Sequence, residues 1–268
     1  MTPVVALTVA GSDSSGGAGV QADLKAFAAC GVFGASAITA LTAQNTTGVT
    51  GVWPVPADVV VQQVRAVLDD LEVRAVKTGM LATAEVVRAV AGLAAAGSLP
   101  ALVVDPVMVA SSGARLLEPD AEHAYVEALL PHARVLTPNV LEAQVLLGGG
   151  ITTLAEQHEA ARALARLGPD LVLVKGGHAV SGTGDDAVDV LWDGARTLEL
   201  RGPRVPGRND HGTGCTLASA IAAGLAKGGE PVDAVRAAKA YVARALRGAA
   251  GWRLGAGHGP LDHFGWER

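Results

Sequence analysis

Cysteine is nearly missing from this 268-residue chain: Cys30 and Cys215 are the only two, and aromatic residues make up 3% of the total. So few cysteines exclude a disulfide framework and a C-x2-C zinc site, and they point to a reducing setting. A core this poor in aromatics must be filled by Ala, Val and Leu, as in parallel strands layered with helices. An excess of positive charge is also missing. The formal net charge of −5 excludes a basic nucleic-acid or membrane-binding surface as the main partner, while local basic residues remain able to hold a small anion. No apolar run reaches the roughly 18 residues that cross a bilayer, and the first ten residues lack a basic leader, so a cytoplasmic protein is expected. Trp53, Trp192, Trp252 and Trp266 are scattered, and they predict no stacking stripe for single-stranded nucleic acid. No G-x-x-x-x-G-K-[ST] phosphate loop occurs. Gly17-Ala18-Gly19-Val20-Gln21-Ala22 fits a dinucleotide fingerprint, but the acidic residue expected about 20 positions on is absent from Ile38 to Gln44.

What is present is alternation of short apolar runs with longer Ala-rich ones, the pattern of βα units. Strands are predicted at Val4–Ala10, Ser36–Leu41, Ala75–Thr78, Ala101–Asp105, Arg134–Thr137, Leu171–Lys175 and Asp186–Trp192. Helices are predicted at Ala18–Cys30, Pro56–Asp70, Ala84–Ala96, Ala121–Leu130, Leu141–Leu147, Thr153–Leu167, Thr216–Lys227 and Pro231–Arg247, where apolar residues recur at three- and four-residue spacing. No repeat or low-complexity linker interrupts them, which predicts a single domain over residues 1–268. Val49–Pro56, with Trp53, reads either as an exposed segment that packs on a partner or as a strand at the sheet's edge.

In such a sheet, chemistry gathers just beyond the carboxyl ends of the strands. Asp210-His211-Gly212-Thr213-Gly214-Cys215-Thr216 runs into a helical pattern, so amides and the positive end of a helix dipole converge on an anion, and the same field should lower the Cys215 pKa. An ordinary glycine turn with a filler cysteine is the alternative. Asp105 and Glu142 read either as a pair holding hydrated Mg2+ or, separately, as a capping aspartate before proline and a solvated first-turn helix residue. Lys175, ending an apolar strand before two glycines, is placed to touch phosphate. His178 and His211 read as phosphate partners or as turn residues, and Cys30 as a structural residue.

Seven motifs stand in order along the chain. They are Gly-Ser-Asp-Ser-Ser-Gly-Gly-Ala-Gly-Val-Gln-Ala-Asp-Leu-Lys at 11–25, Ala-Gln-Asn-Thr at 43–46, Lys-Thr-Gly-Met at 77–80, Asp-Pro-Val-Met at 105–108, Thr-Pro-Asn-x-x-Glu at 137–142, Lys-Gly-Gly-His at 175–178 and His-Gly-Thr-Gly-Cys-Thr at 211–216. Together they resemble the hydroxymethylpyrimidine/phosphomethylpyrimidine kinases of thiamine biosynthesis, within the ribokinase superfamily. The resemblance implies a single-domain α/β three-layer sandwich, with a central, mostly parallel sheet flanked by helices. It implies transfer of the γ-phosphoryl of ATP, with Mg2+, to 4-amino-5-hydroxymethyl-2-methylpyrimidine and then to its monophosphate, and it implies a homodimer. Activity on vitamin B6 alcohols is the alternative.

Residue by residue, the resemblance implies an anion hole of Gly212, Thr213, Gly214 and Cys215, with Cys215 where most sugar kinases of the superfamily carry an aspartate. It implies a substrate pocket of Gln44, Gly11, Asp23, Met80 and Val107, with Gln44 reading the aminopyrimidine edge. Asp105 and Glu142 would serve the metal, and Lys175, Asn139 and Lys239 the nucleotide. Met80 and Val107 also read as plain core, Asp23 as a first-turn helix acid or the salt-bridge partner of a neighbouring lysine, and Lys239 equally as a solvated helix residue.

Overall fold

The computed structural model describes residues 2–108, 119–177, 184 and 186–266. His178 therefore lies outside the described residues. In chain order the strands are β1 (Val5–Asp13), β2 (Phe33–Asn45), β3 (Gly48–Pro54), β4 (Val73–Thr78), β5 (Val103–Val104), β6 (Val135–Leu136), β7 (Leu171–Val174), β8 (Asp186–Trp192) and β9 (Thr197–Pro203). The helices are α1 (Gly19–Ala29), α2 (Ala57–Leu68), α3 (Ala84–Ala95), α4 (Pro119–Ala124), α5 (Val140–Leu147), α6 (Leu154–Ala165), α7 (Thr213–Ala226) and α8 (Pro231–Ala249).

The strands form one nine-stranded sheet in the order β3-β2-β1-β4-β5-β6-β7-β8-β9. From β2 to β7 neighbours pair in parallel, and β3, β8 and β9 add antiparallel edges. Successive side chains on a strand point to opposite faces, and both faces are apolar here. Leu7, Val76, Val104, Leu136 and Val172 join one cluster with α2, α3 and α6 residues such as Val64, Val87 and Leu164. Ala6, Ala75, Val103, Val135 and Leu171 join the other with Phe27 of α1, Ile221 of α7 and Val235 of α8. The result is three layers, and the small residues of α7 let that helix lie almost wholly inside.

Three elements depart from the sequence reading. The helix expected over Ala121–Leu130 ends at Ala124 and continues as a π turn at Tyr125–Leu129 and a 3-10 turn at Leu130–His132. Pro131, which has no amide hydrogen for an α-helical bond, stands in that last turn. β9 was not expected, because Thr197–Pro203 mixes charge with apolar residues and gains its structure by pairing with β8. Val49–Pro56 is largely the edge strand β3, with Trp53 58% exposed.

β1 has β2 on one side and β4 on the other, so the connections diverge at its carboxyl end. Such a point opens a crevice beyond the strand ends, where ligands of open α/β sheets bind.

Candidate active site

That crevice is a cleft of about 510 Å³. Its lining comes from the end of each central strand: Gly11, Ser12 and Asp13 from β1, Thr42 and Gln44 from β2, Met80 after β4, Asp105 and Val107 after β5, Asn139 and Glu142 after β6, and Lys175 after β7. The turn His211–Cys215 closes it. A larger groove of about 880 Å³ lies at the opposite ends of the strands, between α2 and α3, and holds none of the predicted site residues. The smaller cleft carries the convergent polar groups, which is what marks a site for chemistry.

Helix α7 begins at Thr213, three residues before the expected start. Gly212, with φ at +83°, is its N-cap, and a side chain there would strike the carbonyl oxygen of Gly17. Only glycine fits both demands. No side chain caps this terminus, so its first-turn amides and dipole face the cleft, and Gly214 lies close to Lys175 and Asp105. Cys215 thereby falls in the first turn rather than ahead of it. Its thiol was expected to be acidified, and the structure reverses that: burial pushes its pKa up to about 11, with Asp23 and Asp105 adding to the rise. The Lys77 ammonium and the Gly19 amide work the other way and are outweighed. Cys215 is a protonated thiol at neutral pH.

Lys175 stands between two carboxylates, its Nζ 2.9 Å from Asp105 Oδ1 and 3.8 Å from Glu142 Oε2. Asp105 is 1% exposed, and its other oxygen, Oδ2, is buried without a hydrogen-bond partner among the described residues. Burial and the neighbouring Asp105 raise the Glu142 pKa to about 7, against the pull of Lys175. Asn139 caps α5, its Oδ1 accepting from the Glu142 amide at 2.8 Å while Glu142 Oε2 accepts from the Asn139 amide at 2.7 Å. This capping box orients the carboxylate toward Lys175. Glu142 is a first-turn residue of α5, as one reading had it, but it is buried beside Lys175 instead of solvated.

At the far end of the cleft, Gln44 sits at a register irregularity of the β2–β3 pair. Ser14 pins its backbone from both sides, donating to its carbonyl at 2.6 Å and accepting from its amide at 2.9 Å. Met80 closes over β1 because Gly11 has no side chain: a Cβ there would stand 2.5 Å from Met80 Cε. Met80 and Val107 also pack with Ala40 and Ala82, so they are core and wall at once.

Two expected members are elsewhere. Asp23 does not line the cleft; it is wholly buried beneath it, paired with Lys77 at 2.9 Å and accepting from Thr8 at 2.6 Å and Ser219 at 2.7 Å. It is the partner of a lysine, but of Lys77 on β4 rather than of one beside it in sequence. Lys239 is also outside the cleft, bound to Asp189 Oδ2 at 2.7 Å, and the other Asp189 oxygen accepts from the Gly176 amide at 3.0 Å. It braces the turn after Lys175 from behind. Conversely, Asp13, Thr42 and Lys77 received no role from the sequence. A lysine inside the apolar run Ala75–Thr78 was the available signal for the last, while Asp13 and Thr42 carry none. Trp252 and Trp266, scattered in sequence, stack at 6.0 Å in the C-terminal segment.

The family model for phosphomethylpyrimidine kinase matches residues 13–262. The chain belongs to that family. A hydroxymethylpyrimidine/phosphomethylpyrimidine kinase of Rhizobium meliloti is 53% identical over 97% of this chain and 97% of its own. A chloroplastic thiamine biosynthetic bifunctional enzyme of Arabidopsis thaliana is 50% identical, over 96% of this chain and 49% of its own. Among solved structures, an ADP complex of Bacillus subtilis pyridoxal kinase superposes with a TM-score of 0.89 at 36% identity, covering 99% of each chain. The phosphomethylpyrimidine kinase of Clostridium difficile does so with 0.80 at 40%, covering 91% of this chain and 99% of its own. The family's kinase fold is thus shared along essentially the whole chain.

Proposed function

We propose that this enzyme transfers the γ-phosphoryl of ATP to the hydroxymethyl group of 4-amino-5-hydroxymethyl-2-methylpyrimidine, and a second phosphoryl to the resulting monophosphate, in thiamine biosynthesis. The observation that carries the reading is the uncapped first turn of α7, set between Lys175 at one end of the cleft and Gln44 at the other. Phosphoryl transfer through a loose transition state depends on alignment and on stabilising charge at the equatorial oxygens. The amides of Gly214 and Cys215 and the Lys175 ammonium supply that charge. The acceptor hydroxyl attacks phosphorus as the bond to the β-phosphate oxygen breaks, and its proton leaves late, to a phosphate oxygen or water. Cys215, already protonated, orients the acceptor.

Mg2+ fits the same place. Asp105 and Glu142 are hard oxygen donors, and the orphaned Asp105 Oδ2 is an acceptor in want of a cation. Among the described residues no cluster of three or more ligating side chains exists, which suits an ion completed by phosphate oxygens and water. When bound it would neutralise phosphate charge. Asn139 contributes by holding Glu142, and Lys239 by bracing Gly176 through Asp189. Asp23 supports the pocket floor through Lys77.

A homodimer belongs to this reading, supported by Phe33, Leu41 and Trp53, which lie 50–58% exposed on the β2–β3 edge. So does cytoplasmic residence, supported by two free cysteines. None of the described helices is long and apolar enough to cross a membrane. The likeness to pyridoxal kinases gives a second reading, phosphorylation of vitamin B6 alcohols. The test is to follow mono- and diphosphate products with Mg-ATP and the hydroxymethylpyrimidine, beside a pyridoxine control. Absence of pyrimidine phosphate overturns the proposal. Cys215→Ser is expected to slow both transfers alike; selective loss of the first assigns Cys215 as the base.

A further inference from the structure

His211 was read from sequence as a phosphate partner or a turn residue, and the structure gives it a different connection. Its Nε2 lies 2.8 Å from Asp13 Oδ2, with both side chains buried. Asp13 also accepts from the Ser15 amide and hydroxyl at 2.8 Å and from the Ala18 amide at 2.8 Å. These bonds hold the Asp13 pKa at about 2 although burial pushes it the other way. The ring is fixed in place, packed against Gly17, where any side chain would collide with it. Its own amide donates to the Gly259 carbonyl at 3.0 Å.

The same Nε2 is 3.3 Å from the amide nitrogen of Gln44. One ring nitrogen holds either a proton or a lone pair. Facing an ionised carboxylate at 2.8 Å, Nε2 holds the proton and donates it to Asp13. Gln44 then meets an N–H and cannot donate to it, so neither amide proton is consumed there. On its other side the side-chain oxygen of Gln44 lies 3.1 Å from the Thr42 hydroxyl, whose single proton it shares with the Ser12 carbonyl at 2.9 Å. Without the Asp13 charge the other tautomer, with a lone pair on Nε2, becomes available, and that lone pair would accept a Gln44 amide proton.

We propose that His211, its proton held by Asp13, is a positioning residue that keeps the amide donors of Gln44 uncommitted for the ring edge of the substrate. The inference deepens the kinase reading and rests on it for the identity of that ring.

Three variants test this. His211→Gln retains an N–H near the place of Nε2, His211→Met retains none, and Asp13→Asn removes the charge that holds the proton. His211→Met and Asp13→Asn should raise the KM for the hydroxymethylpyrimidine about five- to tenfold, the worth of one hydrogen bond, with the KM for ATP unchanged. His211→Gln should recover most of that loss. In ¹⁵N spectra of the labelled enzyme, His211 Nε2 should be protonated, and it should lose that proton in Asp13→Asn. An unprotonated Nε2 in the parent enzyme, a parallel rise in both KM values, or a His211→Gln as impaired as His211→Met overturns the proposal. If the parent enzyme turns over no pyrimidine, the kinase reading falls, and the ¹⁵N spectra alone decide this one: a proton on Nε2 that depends on Asp13 upholds it, and any other result overturns it.

Discussion

Replacing Lys77 by methionine removes one half of an ion pair with no access to water. Lys77 and Asp23 are both fully buried, and Nζ stands 2.9 Å from each Asp23 oxygen. Burial disfavours the ammonium, but the neighbouring Asp23 more than compensates and holds the Lys77 pKa above its usual value, so Lys77 is charged throughout the neutral range. In Lys77→Met the Asp23 carboxylate keeps only the Thr8 and Ser219 hydroxyls. Leaving a buried charge without its partner costs about 3–5 kcal/mol. At about 2–4 °C per kcal/mol for a chain of this size, the midpoint of thermal unfolding should fall by roughly 6–20 °C. The neutral pair Lys77→Met/Asp23→Asn keeps an acceptor for Ser219 and gives Thr8 a donor, so it should recover about 2 kcal/mol relative to the sum of the single changes. Urea unfolding of the parent, both single variants and the double variant measures the cycle. A loss under about 1 kcal/mol in Lys77→Met, or a double variant equal to the sum of the singles, refutes the reasoning.

Two more outcomes follow from the buried groups. With Cys30 replaced by alanine, alkylation of Cys215 by iodoacetamide should climb steadily with pH up to about 11, where burial has pushed the thiol; an inflection below pH 8 contradicts a protonated Cys215. Burial, followed by the nearby Lys25, lowers the His263 pKa from 6.5 to about 4, so between those values the unfolded chain binds a proton that the folded chain refuses. Stability should therefore be full above pH 6.5 and decline as pH falls to 4, by about 2–3 kcal/mol, and chemical denaturation of His263→Gln should show a flatter slope there.

The layers and most elements were legible because their cause is local. Strands such as Asp186–Trp192 and helices such as Ala84–Ala95 carry the apolar spacing that buries them, and their ends fall close to expectation. β9 was not legible, because its pairing with β8 supplies what its own residues do not. The π turn at Tyr125 was equally hidden, since the Tyr125 hydroxyl bonds to the carbonyl of Gly79, a residue remote in sequence. Glycine at position 212 was legible as a turn, but the reason no other residue serves, a collision with Gly17, belongs to a second loop.

The sequence by itself determined the βα alternation, the motif order that places the chain in its family, and the types of group at each strand end. Backbone preference and side-chain chemistry act within a few residues, and they are written there. Only the tertiary structure decided which of those groups meet and in what charge state. It set Asp23 against Lys77 instead of in the cleft, turned Lys239 to Asp189, joined His211 to Asp13, and raised the thiol of Cys215 where the helix terminus alone would have lowered it. Burial and charge proximity are sums over neighbours that are distant along the chain, so packing has the final say over each.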